Sequence, residues 1–270
     1  MICYLKLGGS LITDKSSPQT PRLAVLARLA AEIAQASKSR PDLRLVLGHG
    51  SGSFGHIEAT KYGTRAGVRT PAEWRGYAEV GAVAARLNRI VTDALLQAGV
   101  PVVTFQPSAS ILCNDGKIVE MVVEPILRAV EASIVHLVYG DVAFDRVRGG
   151  TIISTEDIFR FLARALRPAR ILLAGIEDGV YSDWPAGHTV IPAITSENAA
   201  RYFQGIGESH APDVTGGMAA KVSEMLGIAA EFPGLETLVF SGEVPGNIFS
   251  ALTRPLSSFG TIITSHQSPV

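Results

Sequence analysis

Short runs rich in Val, Ile and Leu recur at 2–7, 43–47, 100–105, 133–138, 170–174, 237–240 and 260–264. Each spans four to six residues without polar alternation, the pattern of strands covered on both faces. Between them, apolar positions recur at helical spacing behind start signals. Thr20-Pro21 puts a capping side chain before proline and predicts a helix from there to about residue 37. Thr70-Pro71-Ala72-Glu73 has the form of a capping box and predicts a long helix to about residue 97. Ser154-Thr155-Glu156-Asp157 predicts another helix start, and Asp213 to Met218 leads into a helix ending near Phe232. This alternation predicts an α/β fold, a three-layer αβα sandwich around a mainly parallel open sheet.

Two segments break the rhythm. Residues 111–119 read as a hairpin turning at Asp115-Gly116, and 182–188, with Trp184, Pro185 and Gly187, as a second turn or flap. No repeat, low-complexity tract or linker divides the chain. Residues 1–270 therefore read as one domain, with approximate lobes at 1–169 and 170–270.

Composition narrows the function classes. Lys+Arg 24 against Asp+Glu 25 leaves a net charge of −1, which gives no electrostatic basis for binding nucleic acid or an anionic membrane but leaves room for a local basic pocket. A hydrophobic share of 47% against 18% charged excludes disorder. The most apolar stretches are interrupted, by Arg89 and Asp93 or by Glu124, Arg128 and Glu131, so no membrane span is expected. The first ten residues reach a glycine turn, which predicts no signal peptide. Cys3 and Cys113 lie in strand-like settings, and buried thiols in a reducing, cytoplasmic setting are expected rather than a disulfide.

Three glycine-rich junctions carry candidate chemistry. Lys6-Leu7-Gly8-Gly9-Ser10 ends a strand in a glycine pair, where backbone N–H groups can turn toward an anion beside the Lys6 charge. An ordinary strand-to-loop turn has the same pattern, and no Walker A sequence occurs. Gly48-His49-Gly50-Ser51-Gly52-Ser53-Phe54-Gly55-His56 follows the strand at 43–47, where open α/β sheets carry ligand loops. A plain surface loop is the alternative; His56 is a candidate donor to a bound anion. Asp213-Val214-Thr215-Gly216-Gly217-Met218-Ala219-Ala220-Lys221 opens a helix whose N-terminus favours phosphate, with Lys221 about a turn away. Read alone it is simple capping beside a solvated lysine. Together the three are equipment for holding a polyphosphate from several sides.

In this order the motifs resemble the amino acid kinase superfamily and, within it, the isopentenyl phosphate kinases. The resemblance rests on the Lys6-to-Ser10 strand end with Thr13-Asp14-Lys15, the G-x-F-G-H of Gly52 to His56, and Gln106-Pro107-Ser108. It continues through Gly140-Asp141-Val142-Ala143-Phe144-Asp145, Ile153-Ser154 with Asp157-Ile158, Asp178-Gly179-Val180-Tyr181 and Asp213 to Met218, covering almost the whole chain. The G-x-F-G-H histidine separates these kinases, and the related fosfomycin kinases, from superfamily members acting on carboxylates or carbamate.

The resemblance implies ATP as phosphoryl donor, Mg²⁺, a small-molecule acceptor (isopentenyl phosphate, converted to the diphosphate) and a homodimer. It implies that Lys6, Leu7, Gly8, Gly9, Ser10 and Gly52 hold the ATP phosphates, and that Lys15 lies close to the transferred group. Asp178, Gly216 and Lys221 complete the nucleotide side. His56, with Ser51, Gly55 and Thr155, grips the acceptor phosphate. The implied catalytic set is Lys6, Lys15, His56 and Lys221. The lobe at 1–169 then serves the acceptor phosphate and that at 170–270 the nucleotide. No protein ligand is implied for Mg²⁺, which phosphates and water hold. Four positions differ from the family pattern. Ser51 stands inside what is usually a triple glycine, Thr155-Glu156 replaces Gly-Asp, and Ile176 replaces a common aspartate.

A monophosphate acceptor is already an oxyanion near neutral pH, its second pKa being about 6, so this reading needs no general base. The task is to bring anions together against roughly 4 kcal/mol per pair of unit charges at ~4 Å and an effective dielectric of about 20. A prenyl tail also needs an apolar slot. The helix from Thr70 carries Trp74, Tyr77, Val80, Val83, Ala84 and Leu87 on one face, with Gly81, Ala82 and Ala85 as small neighbours. That stripe is expected to set substrate length, although simple packing on the sheet is the alternative for most of it. Two other readings stay open: a kinase for a small phosphonate such as fosfomycin, and a non-catalytic nucleotide- or anion-binding module.

Overall fold

The computed structural model describes residues 1–55, 61–183, 186–203, 217–255 and 259–265. The apolar runs form strands because each places side chains into two separate cores at once. The chain runs β1 (Ile2–Leu7), α1 (Gly9–Ile12), β2 (Thr13–Asp14), β3 (Thr20–Pro21), α2 (Leu23–Ser39), β4 (Arg44–His49), α3 (Pro71–Gln97) and β5 (Val102–Thr104). It continues with β6 (Ile111–Asn114), β7 (Lys117–Met121), α4 (Glu124–Glu131), β8 (Val135–Tyr139), β9 (Asp141–Asp145), β10 (Gly149–Ile153) and α5 (Thr155–Leu166). There follow β11 (Arg170–Gly175), β12 (Ala193–Thr195), α6 (Ala199–Phe203), α7 (Gly217–Glu231), β13 (Glu236–Ser241), α8 (Asn247–Thr253) and β14 (Thr261–Thr264).

An eight-stranded sheet has the order β12-β14-β13-β11-β1-β4-β8-β5. Its pairs are parallel except β13 with β14. The strands from residues 1–169 occupy one half of it and those from 170–270 the other, meeting where β1 pairs with β11. Alternate residues of β1 face opposite layers. Cys3, Leu5 and Leu7 pack with Leu29 and Ile33 of α2, Leu87 and Val91 of α3 and Ile248 of α8. Tyr4 packs with Phe159 and Leu162 of α5 and Val222, Met225 and Ile228 of α7. This is the expected three-layer sandwich around a mainly parallel sheet. No helix among the described residues is long and apolar enough to cross a membrane.

A second sheet, β10-β9-β6-β7, stands beside the first. The hairpin expected at 111–119 is present, turning at Asp115 (φ 49°) and Gly116 (φ 78°). Asp145 fastens it by accepting from the N–H groups of Asp115 at 3.1 Å and Gly116 at 2.7 Å. The stripe of α3 divides between the layers. Val83 and Leu87 enter the main core, while Tyr77 and Val80 pack on Val142 of the second sheet.

The capping boxes at Thr70/Glu73 and Ser154/Asp157 both form. The helix expected from Pro21 instead begins at Leu23. Thr20-Pro21 is extended and pairs with Thr13-Asp14. The Thr20 N–H donates to Ser53 Oγ at 3.2 Å and the Arg22 N–H to the Ile12 carbonyl at 2.8 Å, so tertiary partners satisfy this stretch of backbone. Cys3 and Cys113 are buried free thiols, and burial pushes both up to about 12.

Candidate active site

The C-terminal ends of β1 and β4 pass directly into two glycine loops, and the loops interlock. Gly8 extends the sheet by donating to the Ala174 carbonyl at 2.8 Å, and Gly50 donates to the Leu7 carbonyl at 3.0 Å. A Cβ on Gly9 would lie 2.3 Å from Gly52 N, and Gly52 itself has φ +49°. Glycine at both positions allows one backbone to touch the other. Thr13 latches the contact: its hydroxyl donates to the Gly9 carbonyl at 2.7 Å and accepts from the Ser53 N–H at 2.9 Å. Ser51 rests on Gly55, where a Cβ would meet Ser51 Cβ at 2.6 Å. Among the described residues, the N–H groups of Gly9, Ser10, Ser51 and Gly52 have no hydrogen-bond acceptor. Such clustered N–H groups suit an anion with several oxygens.

Charged side chains gather beside these loops. Lys6, near the end of β1, donates to Oε1 of buried Glu156 in the first turn of α5. Burial pushes the Glu156 carboxyl up, but the Lys6 charge and hydrogen bond, with Lys221 adding to them, hold it below its ordinary value. Lys6, Glu156 and Lys221 thus form one electrostatic unit, although Lys6 and Lys221 are 215 residues apart in sequence. The glutamate that replaces the family's aspartate still reaches the β1 lysine.

Thr155 is buried, and its hydroxyl donates to the His49 carbonyl at 2.7 Å. What it can offer a ligand is backbone at the start of α5. His49 itself is a fixed neutral imidazole. Its Nδ1 donates to the Gly50 carbonyl at 3.1 Å, its Nε2 accepts from Asn88 Nδ2 at 3.2 Å, and its ring stacks on Tyr139. Burial pulls its pKa down to about 4.

Lys15 is exposed on the turn between β2 and β3, where Asp14 accepts from the Ser16 N–H at 2.8 Å and hydroxyl at 2.7 Å. These hydrogen bonds from Ser16 lower the Asp14 pKa. Asp178 and Ile176 are exposed beyond the end of β11. His56 and Gly216 lie outside the described residues, as do Trp184 and Pro185 of the second turn. Next to the second sheet, Trp74, Tyr77 and Phe144 form an aromatic group with ring centroids 5.3 to 5.9 Å apart. Among the described residues no group of three or more His, Cys, Asp or Glu side chains could hold a metal ion.

Two residues near these loops are hard to read from the sequence. Thr13 was legible only as part of a motif, because its latch joins loops forty residues apart. The one sequence signal of Glu224 is its three-residue spacing from Lys221 on a helix.

The pattern for the amino acid kinase family matches residues 1–241. The isopentenyl phosphate kinase of Methanothermobacter thermautotrophicus is 35% identical over 256 residues, covering 92% of this chain and 94% of that protein. An isopentenyl phosphate kinase solved by X-ray crystallography superposes with a TM-score of 0.81 at 32% identity, covering 97% of this chain and 100% of that one. The product complex of the T. acidophilum isopentenyl phosphate kinase superposes with a TM-score of 0.74 at 25% identity, again covering 97% and 100%. The chain therefore belongs to the amino acid kinase family and, within it, to the isopentenyl phosphate kinases.

Proposed function

We propose that the chain is an ATP-dependent kinase that converts isopentenyl phosphate to isopentenyl diphosphate. The observation that carries this reading is the pair of interlocked glycine loops beside the Lys6–Glu156–Lys221 unit, in a chain of this family. In this reading the N–H groups of Gly9, Ser10 and Gly52 hold the transferred and neighbouring phosphates, together with Lys6 and the strand end at Leu7 and Gly8. Lys15, exposed on its turn, reaches the transferred group, while Gly216, Lys221 and Asp178 serve the nucleotide. Ser51, Gly55, His56 and the start of α5 at Thr155 receive the acceptor phosphate. The residues up to 169 then serve the acceptor and those from 170 the nucleotide.

The donors face charge that grows in the transition state, and fixed donors in a water-poor site stabilise such charge without reorganising. No residue takes a proton, because the acceptor arrives as an oxyanion. Mg²⁺, when bound with the nucleotide, would screen the mutual repulsion of the phosphates and would need no ligand from the chain's own residues. The prenyl tail lies along the upper part of α3, where the Trp74, Tyr77 and Phe144 rings offer apolar surface. A homodimer, read by sedimentation at micromolar concentration, and a cytoplasmic setting, suited to two buried free thiols, complete the proposal.

The test is a product assay with ATP-Mg against isopentenyl phosphate, dimethylallyl phosphate and fosfomycin. Isopentenyl diphosphate is the expected product; turnover of fosfomycin alone, or of none, overturns the reading. His56 gives the finer test. Glutamine keeps a donor but loses the positive charge, and alanine loses both, so kcat/KM for isopentenyl phosphate should fall in the order wild type, His56→Gln, His56→Ala. The alanine variant should be down at least ~10-fold, in keeping with about 1.5–3 kcal/mol for a charge-assisted hydrogen bond. The KM for ATP should change little. A rise confined to the ATP KM would move the histidine to the nucleotide side.

A further inference from the structure

Helices α5 and α7 run side by side in the same direction, and their contacts advance together. Arg164 and Arg160 donate to Glu231 at 2.9 Å each, and a Cβ on Gly227 would lie 4.0 Å from Arg160 Nη1. Residues 231, 227 and 224 lie on one face of α7 at three- and four-residue steps. The next contact toward the N-termini therefore brings Glu224 to the first turn of α5, which carries Glu156 and Asp157. Lys221 lies one turn before Glu224 on α7.

We propose that Glu224 is a positioning residue that sets the net charge of the Lys6–Lys221 pair, and through it the affinity for a nucleoside triphosphate. The groups facing it are Glu156, Asp157 and Arg160 on α5 and Lys6 on β1, with Lys221 and Glu231 on its own helix. Each of the others has its own partner or task. Glu156 accepts from Lys6, Asp157 accepts from the Ser154 N–H and hydroxyl at 2.8 Å each, and Arg160 is committed to Glu231. Glu224 is thus a third carboxyl brought against two. Burial first, then the Glu156 and Asp157 charges, push its pKa up to about 8. With its proton on, the two lysines balance Glu156 and Asp157. With its proton off, the cluster gains one negative charge and opposes a polyphosphate. Because the proton is held when the anion binds, affinity falls as pH rises through the Glu224 pKa.

The proposal rests on the reading of this site as a nucleotide-binding one, and the test separates the two. ATP-Mg binding is titrated calorimetrically, without acceptor, from about pH 7.5 to about pH 9.5, above the titration of ATP itself. In the wild type the Kd should rise ~3- to 10-fold over this span, the scale of one added charge near the phosphates. Glu224→Gln copies the protonated form and should hold the Kd within about twofold while binding more tightly than wild type at the alkaline end. Glu231→Gln, one step along the same face, should keep the wild-type rise. The same rise in Glu224→Gln, or a flat wild type, overturns the proposal. If the pH effect follows Glu224 but isopentenyl phosphate is not phosphorylated, the acceptor assignment falls and this proposal stands. If ATP does not bind at all, both fall.

Discussion

Replacing Lys6 with alanine should lower turnover at least ~100-fold, in line with the loss of one preorganised donor to developing charge. The same change also removes the partner of buried Glu156. Leaving a buried charge unpaired costs about 3–5 kcal/mol, so loss of activity alone would not separate chemistry from folding. The pH dependence and a second variant do. In the wild type the Glu156 pKa is lowered, so its contribution is present above its unfolded value and is lost as pH falls through the folded one. Burial is already the largest single influence on Glu156, and without the opposing charge and hydrogen bond of Lys6 it raises that pKa. The stability deficit of Lys6→Ala should then shrink as pH falls toward about 5 and the carboxyl takes a proton. Adding Glu156→Gln should restore most of the lost stability while turnover stays low. Recovery of turnover together with stability would make Lys6 a structural residue and remove it from the mechanism.

Lys6 was legible in the sequence as a candidate at an anion site; its ion pair with Glu156 was not. A lysine at a strand end before two glycines announces an anion site locally, whereas the glutamate that holds it comes from a helix 150 residues away. The central strands were legible for a local reason as well. Each of β1, β4, β11 and β13 is apolar on both faces, and burial in two cores leaves no other reading. The start of α2 is not legible locally, because Thr20-Pro21 has the same form in a helix cap and in an extended entry. The choice was made by Ser53 Oγ and the Ile12 carbonyl, which local sequence does not display. Glu224 is illegible for a similar reason. A glutamate on an amphipathic helix reads as a solvated charge until a neighbouring helix brings two more carboxyls against it.

Gly9→Ala should disable the enzyme while leaving most of its fold intact. The added Cβ would lie 2.3 Å from Gly52 N, 2.6 Å from Gly52 Cα and 3.3 Å from the Gly50 carbonyl carbon. All three are backbone atoms of the facing loop, so no side-chain rotation relieves the contact and one loop must move. Thr13 is bonded to both loops, through the Gly9 carbonyl and the Ser53 N–H, and transmits the displacement rather than absorbing it. Overpacking of this kind costs about 1–3 kcal/mol, a decrease that a domain buried on both sides of its sheet survives. The catalytic cost is larger, because a shift of about 1 Å in positioning groups lowers rates ~100-fold. The expected result is a folded variant with a modestly lower Tm, kcat/KM down at least ~100-fold, and weaker ATP binding. Gly227→Ala is the matching control. In the middle of α7, its Cβ would meet no neighbouring element nearer than Arg160 Nη1 at 4.0 Å, so alanine should raise stability by roughly 0.5–1 kcal/mol through helix propensity alone. Thr13→Val removes the latch without adding a clash and should fall between wild type and Gly9→Ala in kcat/KM. Wild-type kcat/KM in a folded Gly9→Ala variant would mean that the two loops need not touch for phosphoryl transfer, and the four N–H groups would lose their role as a preset cradle.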